Sequence, residues 1–203
     1  MRYNYIMKYD EANIIVKNVL TQEEIDQLYS AISKSERNYV FKKFYQSISD
    51  FDLPDNIRKK IVKYCEEISG ETDLDIEEYQ FSKYKIIVKE DGTLGNPVLF
   101  PHYDETFPEP RFTFDYQIKS NTSWPLVVEE KEFNLSDNEA LTFSGTHQIH
   151  WRVKKIFKGD EFVDMLFCHI KKKNASQKDV SINKVMNEKA KKYVEIYNKS
   201  EEQ

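Results

Sequence analysis

The stretch Ala140-Leu141-Thr142-Phe143-Ser144-Gly145-Thr146-His147-Gln148-Ile149-His150-Trp151-Arg152-Val153-Lys154 decides the fold. Its first four residues form a short, largely apolar run, Ser144-Gly145 is a turn signal, and from Gln148 polar and apolar residues alternate. A period of two marks a strand with one buried face, so Gln148, His150 and Arg152 share one side while Ile149, Trp151 and Val153 take the other. Runs of this kind, rich in Val, Ile, Phe and Tyr and separated by turns such as Glu90-Asp91-Gly92, recur from about Tyr79 to Lys171. They lie near Gln80 to Val88, Val98 to Asp104, Phe112 to Ile118, Leu126 to Glu129, Glu132 to Leu135, Ala140 to Phe143, Gln148 to Lys154 and Glu161 to Ile170. Short strands with no helix between them predict a jelly-roll or cupin-like double sheet rather than a parallel α/β sheet.

Helices flank this block. Thr21 followed by Glu24 is a capping box opening a helix over Thr21 to Ser35, with Ile25, Leu28 and Ile32 on one face. Pro54 suits the first turn of a second helix, which aligns Ile57, Ile61, Cys65 and Ile68 before Gly70 stops it. After Lys171 the spacing of Ile182, Val185, Met186 and Val194 predicts a C-terminal helix fading into a charged, mobile end at Ser200 to Gln203. The expectation is a single domain over 1–203: a helical part over 1–75, a β core over 79–171 and a C-terminal helix and tail over 172–203. A length of 203 residues suffices for one sizeable core, and 39% hydrophobic residues argue against disorder.

The formal net charge of −5, with lysines spread along the chain, disfavours nucleic acid as a partner. No apolar run approaches the roughly 18 residues of a membrane span, and Cys65 and Cys168 are paired by no pattern, so a cytoplasmic location is expected.

The chemistry-bearing residues are His102-Tyr103-Asp104 and the distal His150. On a strand, side chains two apart point to the same face, so His102 and Asp104 can hold one metal together while a distant strand supplies His150. Two imidazoles and one carboxylate form the facial triad of non-haem Fe(II) sites, which leaves the opposite positions open. Strand period prefers His150 over His147, which sits beside the Gly145 turn.

This order of helix, strand, His-x-Asp and a distal His-Trp-Arg resembles the Fe(II)/2-oxoglutarate-dependent oxygenases, most of all their prolyl-hydroxylase-like branch. The resemblance runs over about residues 14 to 171 and includes Val16 to Thr21, Tyr84 and Asn138 to Gly145. It implies a double-stranded β-helix in which His102, Asp104 and His150 bind Fe(II) while 2-oxoglutarate and O2 fill the open positions. It implies hydroxylation of a small-molecule or peptidyl substrate with release of succinate and CO2, because relatives that halogenate lack the carboxylate that Asp104 supplies.

The resemblance also calls for a cation at the far carboxylate of 2-oxoglutarate, and an arginine fork suits a carboxylate. Arg152 is the candidate, two residues beyond His150 on the same face, a step of about 6.6 Å. The family commonly places this residue further on, near the start of the last strand, where this chain has Asp160 and Glu161. Lys154, Lys155, Lys158 and Arg111 are therefore alternatives. Tyr84 and Tyr116 match positions where relatives place tyrosines that contact the cosubstrate, although in a chain with 13 tyrosines packing is the competing role. Two other readings remain open at this point: a cupin-like metal dioxygenase that does not use 2-oxoglutarate, and a non-catalytic β-sandwich binding module.

Overall fold

The structure, a computed structural model, describes residues 13–35, 40–42, 45–88, 91–104, 112–173 and 184–199. In chain order its elements are β1 (Ile14–Lys17), α1 (Gln22–Lys34), β2 (Val40–Lys42), β3 (Tyr45–Ile48), α2 (Asp55–Ser69), β4 (Leu74–Lys85), β5 (Ile87–Val88) and β6 (Leu94–Gly95). They continue with β7 (Phe112–Ser120), β8 (Leu126–Val128), β9 (Lys131–Phe133), β10 (Glu139–Phe143), β11 (His150–Arg152), β12 (Phe162–Lys172) and α3 (Lys184–Lys199).

Both N-terminal helices start and stop where their caps lie. The Thr21 hydroxyl accepts from the Glu24 amide while the Glu24 carboxylate accepts from the Thr21 amide, satisfying two otherwise orphaned donors of α1. Pro54 caps α2, and Gly70 closes it in the left-handed region at φ 68°. Leu28 and Ile32 of α1 and Ile57, Ile61 and Cys65 of α2 are buried against one face of a large sheet ordered β1-β10-β7-β12-β4-β3-β2. Strand β7 is buried on both faces along most of its length. Its Phe112, Phe114, Tyr116 and Ile118 join the helix-covered core, so Thr113, Asp115 and Gln117 face the other way.

That other face looks onto a smaller sheet ordered β11-β8-β9. The chain crosses between the layers at nearly every step: β4 large, the His102 bridge to β11 small, β7 large, β8 and β9 small, β10 large, β11 small, β12 large. This is the double-stranded β-helix, mainly β with flanking helices. The interior between the layers is filled from one side by Leu126, Val128, Leu141 and Phe143 and from the other by Tyr84, Trp124, Phe157 and Met165.

Helix α3 lies against the outer side of the small sheet, with Tyr193 on Trp151 and Tyr197 on Phe100. It also steadies the β8–β9 turn, where Glu129 and Glu130 both adopt positive φ, the backbone of a two-residue hairpin that ordinarily takes Asn-Gly. Lys189 and Tyr193 hold the two carboxylates, and the Ile149 amide donates to Glu129.

Several expectations need correction. Val98 to Asp104 is not a ladder strand; only an isolated bridge pairs His102 with His150. The first core strand begins at Leu74, inside the part read as helical, and its partner register slips between His169 and Ile170. Beyond Lys85, Ile87–Val88 pairs instead with β6, and β2 and β3 extend the large sheet from a segment that shows no clear period. The tail read as mobile, Ser200 to Gln203, lies outside the described residues.

Candidate active site

His102 and His150 exchange backbone hydrogen bonds of 3.1 and 3.0 Å, which sets their rings 4.2 Å apart. The Nδ1 of His102 lies 2.7 Å from the Phe100 carbonyl and that of His150 lies 3.1 Å from the Gln148 carbonyl. A carbonyl accepts only, so Nδ1 carries the hydrogen in each ring and Nε2 offers a lone pair to the centre. Asp104 joins them because its amide donates to the Gly145 carbonyl at 2.8 Å. Its Oδ1 sits 3.5 Å from His150 Nε2 and 4.0 Å from His102 Nε2. One ligand atom from each of the three residues lies within 4.8 Å of the others. The structure thus brings His102, Asp104 and His150 together.

The other carboxylate oxygen, Oδ2, accepts from the Thr113 hydroxyl at 2.6 Å. Gly145 makes room for this arrangement, since a Cβ there would stand 1.8 Å from Asp104 Oδ2 and 2.4 Å from Thr113 Oγ1. The electrostatics describe a site prepared for a cation. Burial, then the facing His150, pushes His102 down to about 4. Burial opposes ionisation of Asp104, yet His150, His169 and Thr113 together hold it well below the usual carboxylate range. Burial likewise opposes a charge on His150, but Asp104 overrides it and raises the imidazole. A divalent cation would take the place of that shared proton.

The triad borders a cavity of about 510 Å³ whose wall includes Tyr84, Leu99, Thr113, Asp115, Phe167 and His169. Tyr84 is 2% exposed and packs edge-on against Trp124 and Phe167. Arg152 is 1% exposed and its charge acts on two residues of this wall, Asp115 and Tyr84. Its guanidinium donates to the Trp124 carbonyl and to Met165 Sδ, and among the described residues no carboxylate comes within 4.0 Å of it.

The structure does not bring Tyr116 to the cavity. It lies on the opposite face of β7, where its hydroxyl donates to Asn138 Oδ1 at 3.0 Å. His147 is turned to Ser144 and Thr146. Lys154 reaches the Asn198 carbonyl and Lys155 reaches Thr122 and Glu161, both on the outside. The Lys158 amide serves the turn to β12, and Arg111 lies outside the described residues. Sequence reasoning missed Thr113, Asp115 and His169. A signal was present: polar residues alternate with aromatics in Phe112-Thr113-Phe114-Asp115-Tyr116-Gln117, and His169 shares the face of Met165 and Phe167 on the last strand.

No family model matches the sequence, and no curated protein matches it. Solved structures do. The α-ketoglutarate-dependent epimerase SnoN from nogalamycin biosynthesis is 12% identical, with 85% of this chain and 83% of that chain covered at a TM-score of 0.65. The carbocyclase SnoK from the same biosynthesis is 8% identical, covering 92% and 90% at 0.63. The viral collagen prolyl hydroxylase from Paramecium bursaria Chlorella virus-1 is 12% identical, covering 79% and 90% at 0.53. An epimerase and a carbocyclase stand beside a prolyl hydroxylase, so the likeness does not single out the prolyl-hydroxylase branch. No helix among the described residues is long and apolar enough to cross a membrane. The chain has the double-stranded β-helix fold of the 2-oxoglutarate-dependent non-haem iron oxygenases.

Proposed function

We propose that the chain is an Fe(II)/2-oxoglutarate-dependent dioxygenase, with His102, Asp104 and His150 as the metal ligands and hydroxylation as its reaction. The observation that carries this reading is the conjunction of that triad with a buried guanidinium, Arg152, that makes no direct ion pair among the described residues and whose charge acts on Asp115 of the cavity wall. A buried charge without a direct partner is costly, so positive charge beside the cavity favours an anionic ligand there. Two imidazoles with fixed tautomers and one ionised carboxylate are the donor set suited to Fe(II) with open positions. Related structures hold such groups: SnoN is described in complex with Fe3+, α-ketoglutarate and nogalamycin RO, and HygX with nickel, 2-oxoglutarate and hygromycin B.

In this reading Fe(II) and 2-oxoglutarate supply the oxidising chemistry with O2, releasing succinate and CO2. The chain's own residues orient and shield. The Phe100 and Gln148 carbonyls turn both Nε2 lone pairs to the centre, where they would hold the metal, and Gly145 and Thr113 fix Asp104. Arg152 would attract the far carboxylate of the cosubstrate through its charge, and Tyr84 would form part of the wall that holds it. The cavity volume admits a small molecule or one side chain of a peptide, and two buried thiols, Cys65 and Cys168, fit a reducing, cytoplasmic setting.

A second reading rests on Asp115. Its carboxyl is on the same wall with Oδ1 buried and without a hydrogen-bond partner, and in its ionised form it would repel a dicarboxylate. That favours a metal dioxygenase of this fold that does not use 2-oxoglutarate. Anaerobic titration of the Fe(II) protein with 2-oxoglutarate separates the two. The first reading expects a visible charge-transfer band that Arg152→Met abolishes; Fe(II) binding with no band in the wild type refutes it.

A further inference from the structure

We propose that His169, held by Glu78, is a positioning residue for Asp104 that restricts this carboxylate to one metal-ligating oxygen; the inference rests on the metal reading above. The two oxygens of Asp104 have different surroundings. Oδ1 faces the imidazoles of His150 and His102 at 3.5 and 4.0 Å. Oδ2 points away from them, to the Thr113 hydroxyl at 2.6 Å and to His169 Nε2 at 3.6 Å. The other nitrogen of His169, Nδ1, lies 3.6 Å from Glu78 Oε2. These contacts come from three neighbouring strands of the large sheet, since β7 carries Thr113, β12 carries His169 and β4 carries Glu78. His169 and Glu78 are direct partners in the ladder register, and Thr113 pairs with His169 from the other side.

The consequence is a count of open positions. Two imidazoles and one oxygen occupy three places on a six-coordinate cation and leave three, enough for a two-point chelating ligand and one diatomic. If both oxygens of Asp104 turned onto the metal, one of those places would be lost. Thr113 makes that turn costly through a charge-assisted hydrogen bond, and the His169 ring, with Nε2 3.6 Å from Oδ2, flanks this oxygen from the cavity side. Glu78 keeps the imidazole ring at the angle that presents Nε2 to Oδ2. His169 acts through Asp104, which sets how tightly and in what geometry the metal is held.

The test uses the full chain with Co(II), whose visible spectrum reports coordination number, and calorimetric dissociation constants for the same ion. His169→Phe keeps the ring volume and removes both nitrogens. It is expected to weaken Co(II) binding roughly 10- to 100-fold and to change the spectrum. His169→Gln restores a donor on a similar reach and is expected to recover most of both. Glu78→Ala, at a position 59% exposed and so tolerant of change, is expected to weaken binding about two- to fivefold. Melting temperatures of the metal-free proteins check the fold, and should His169→Phe not fold, the Gln and Ala variants decide. Wild-type affinity and spectrum in the Phe variant overturn the proposal, as does a Gln variant no better than Phe or a Glu78→Ala variant indistinguishable from wild type. A wild-type protein that takes up no Co(II) overturns the metal reading itself and the inference with it.

Discussion

A methyl group at position 145 would collide with the Asp104 carboxylate. In Gly145→Ala the new Cβ stands 1.8 Å from Asp104 Oδ2, 2.4 Å from Thr113 Oγ1 and 2.7 Å from Asp104 Cγ, where contacts below 3.0 Å do not survive. Asp104 Oδ2 must therefore retreat by at least 3.0 − 1.8 = 1.2 Å. A metal site tolerates about 0.2 Å in its ligand distances, so Asp104 leaves the set or the backbone at 145 moves. Gly145 is not among the positive-φ residues, and the effect comes from side-chain collision rather than backbone strain. Overpacking and loss of the Thr113 bond to a charged group together destabilise the metal-free protein by about 2–4 kcal/mol. For a chain of this size that lowers the melting temperature by roughly 5–15 °C. Divalent metal affinity is expected to fall roughly 100-fold or more. Calorimetric titration with Mn(II) and scanning calorimetry measure both. Gly92→Ala is the control: at φ 78° with nothing near its Cβ it costs about 1–2 kcal/mol in the backbone and leaves metal binding intact. Wild-type Mn(II) affinity in Gly145→Ala refutes the placement of Asp104.

Two further substitutions separate the faces of β7. Tyr116→Phe removes one hydrogen bond to Asn138, whose oxygen still accepts from the Leu20 amide, so it costs about 0.5–1 kcal/mol and leaves the metal and 2-oxoglutarate dissociation constants unchanged. A cosubstrate affinity lowered tenfold in that variant would contradict the assignment of Tyr116 to the helix-side core. On the other face, burial pushes Asp115 up to about 7. A carboxyl raised in the folded state stabilises the fold fully below its unfolded value near 3.9, and that contribution is lost as pH rises through about 7. The difference amounts to about 4 kcal/mol at 1.36 kcal/mol per unit of pKa. Urea unfolding of metal-free Asp115→Asn is expected to lack that decline between pH 4 and 7; curves parallel to wild type would show that the carboxyl is not isolated.

The legible part of the site was the part written in local periods. Alternation in Gln148 to Val153 chose His150 over His147, and the ring of His147 is indeed taken by Ser144 and Thr146. The same rule, applied to Phe112 to Ile118, gives two faces without saying which looks inward. Tyr116 was assigned to the site by its position, while Asp115, one residue before it, lines the cavity. The His102-Tyr103-Asp104 pair converges as expected, though not by strand geometry: a single bridge to His150 and one bond from the Asp104 amide to Gly145 do the work of a ladder. Arg152 was expected as a cation facing the ligand. In the structure its guanidinium is buried over Trp124, 5.3 Å from the ring centroid, and its charge acts on Asp115 and Tyr84 of the cavity wall.

By itself the sequence determined the β-rich double sheet, the two capped helices and three residues able to hold a metal, because capping, turn chemistry and strand period depend on residues a few positions apart. Only the tertiary structure decided what surrounds those three. Thr113 and Asp104 are nine residues apart, but His169 lies on β12 and Gly145 before β11, and their meeting at one carboxylate follows from the order in which the strands pair. Strand order is set by burying both faces of β7 at once, a condition on the whole chain that no local window contains.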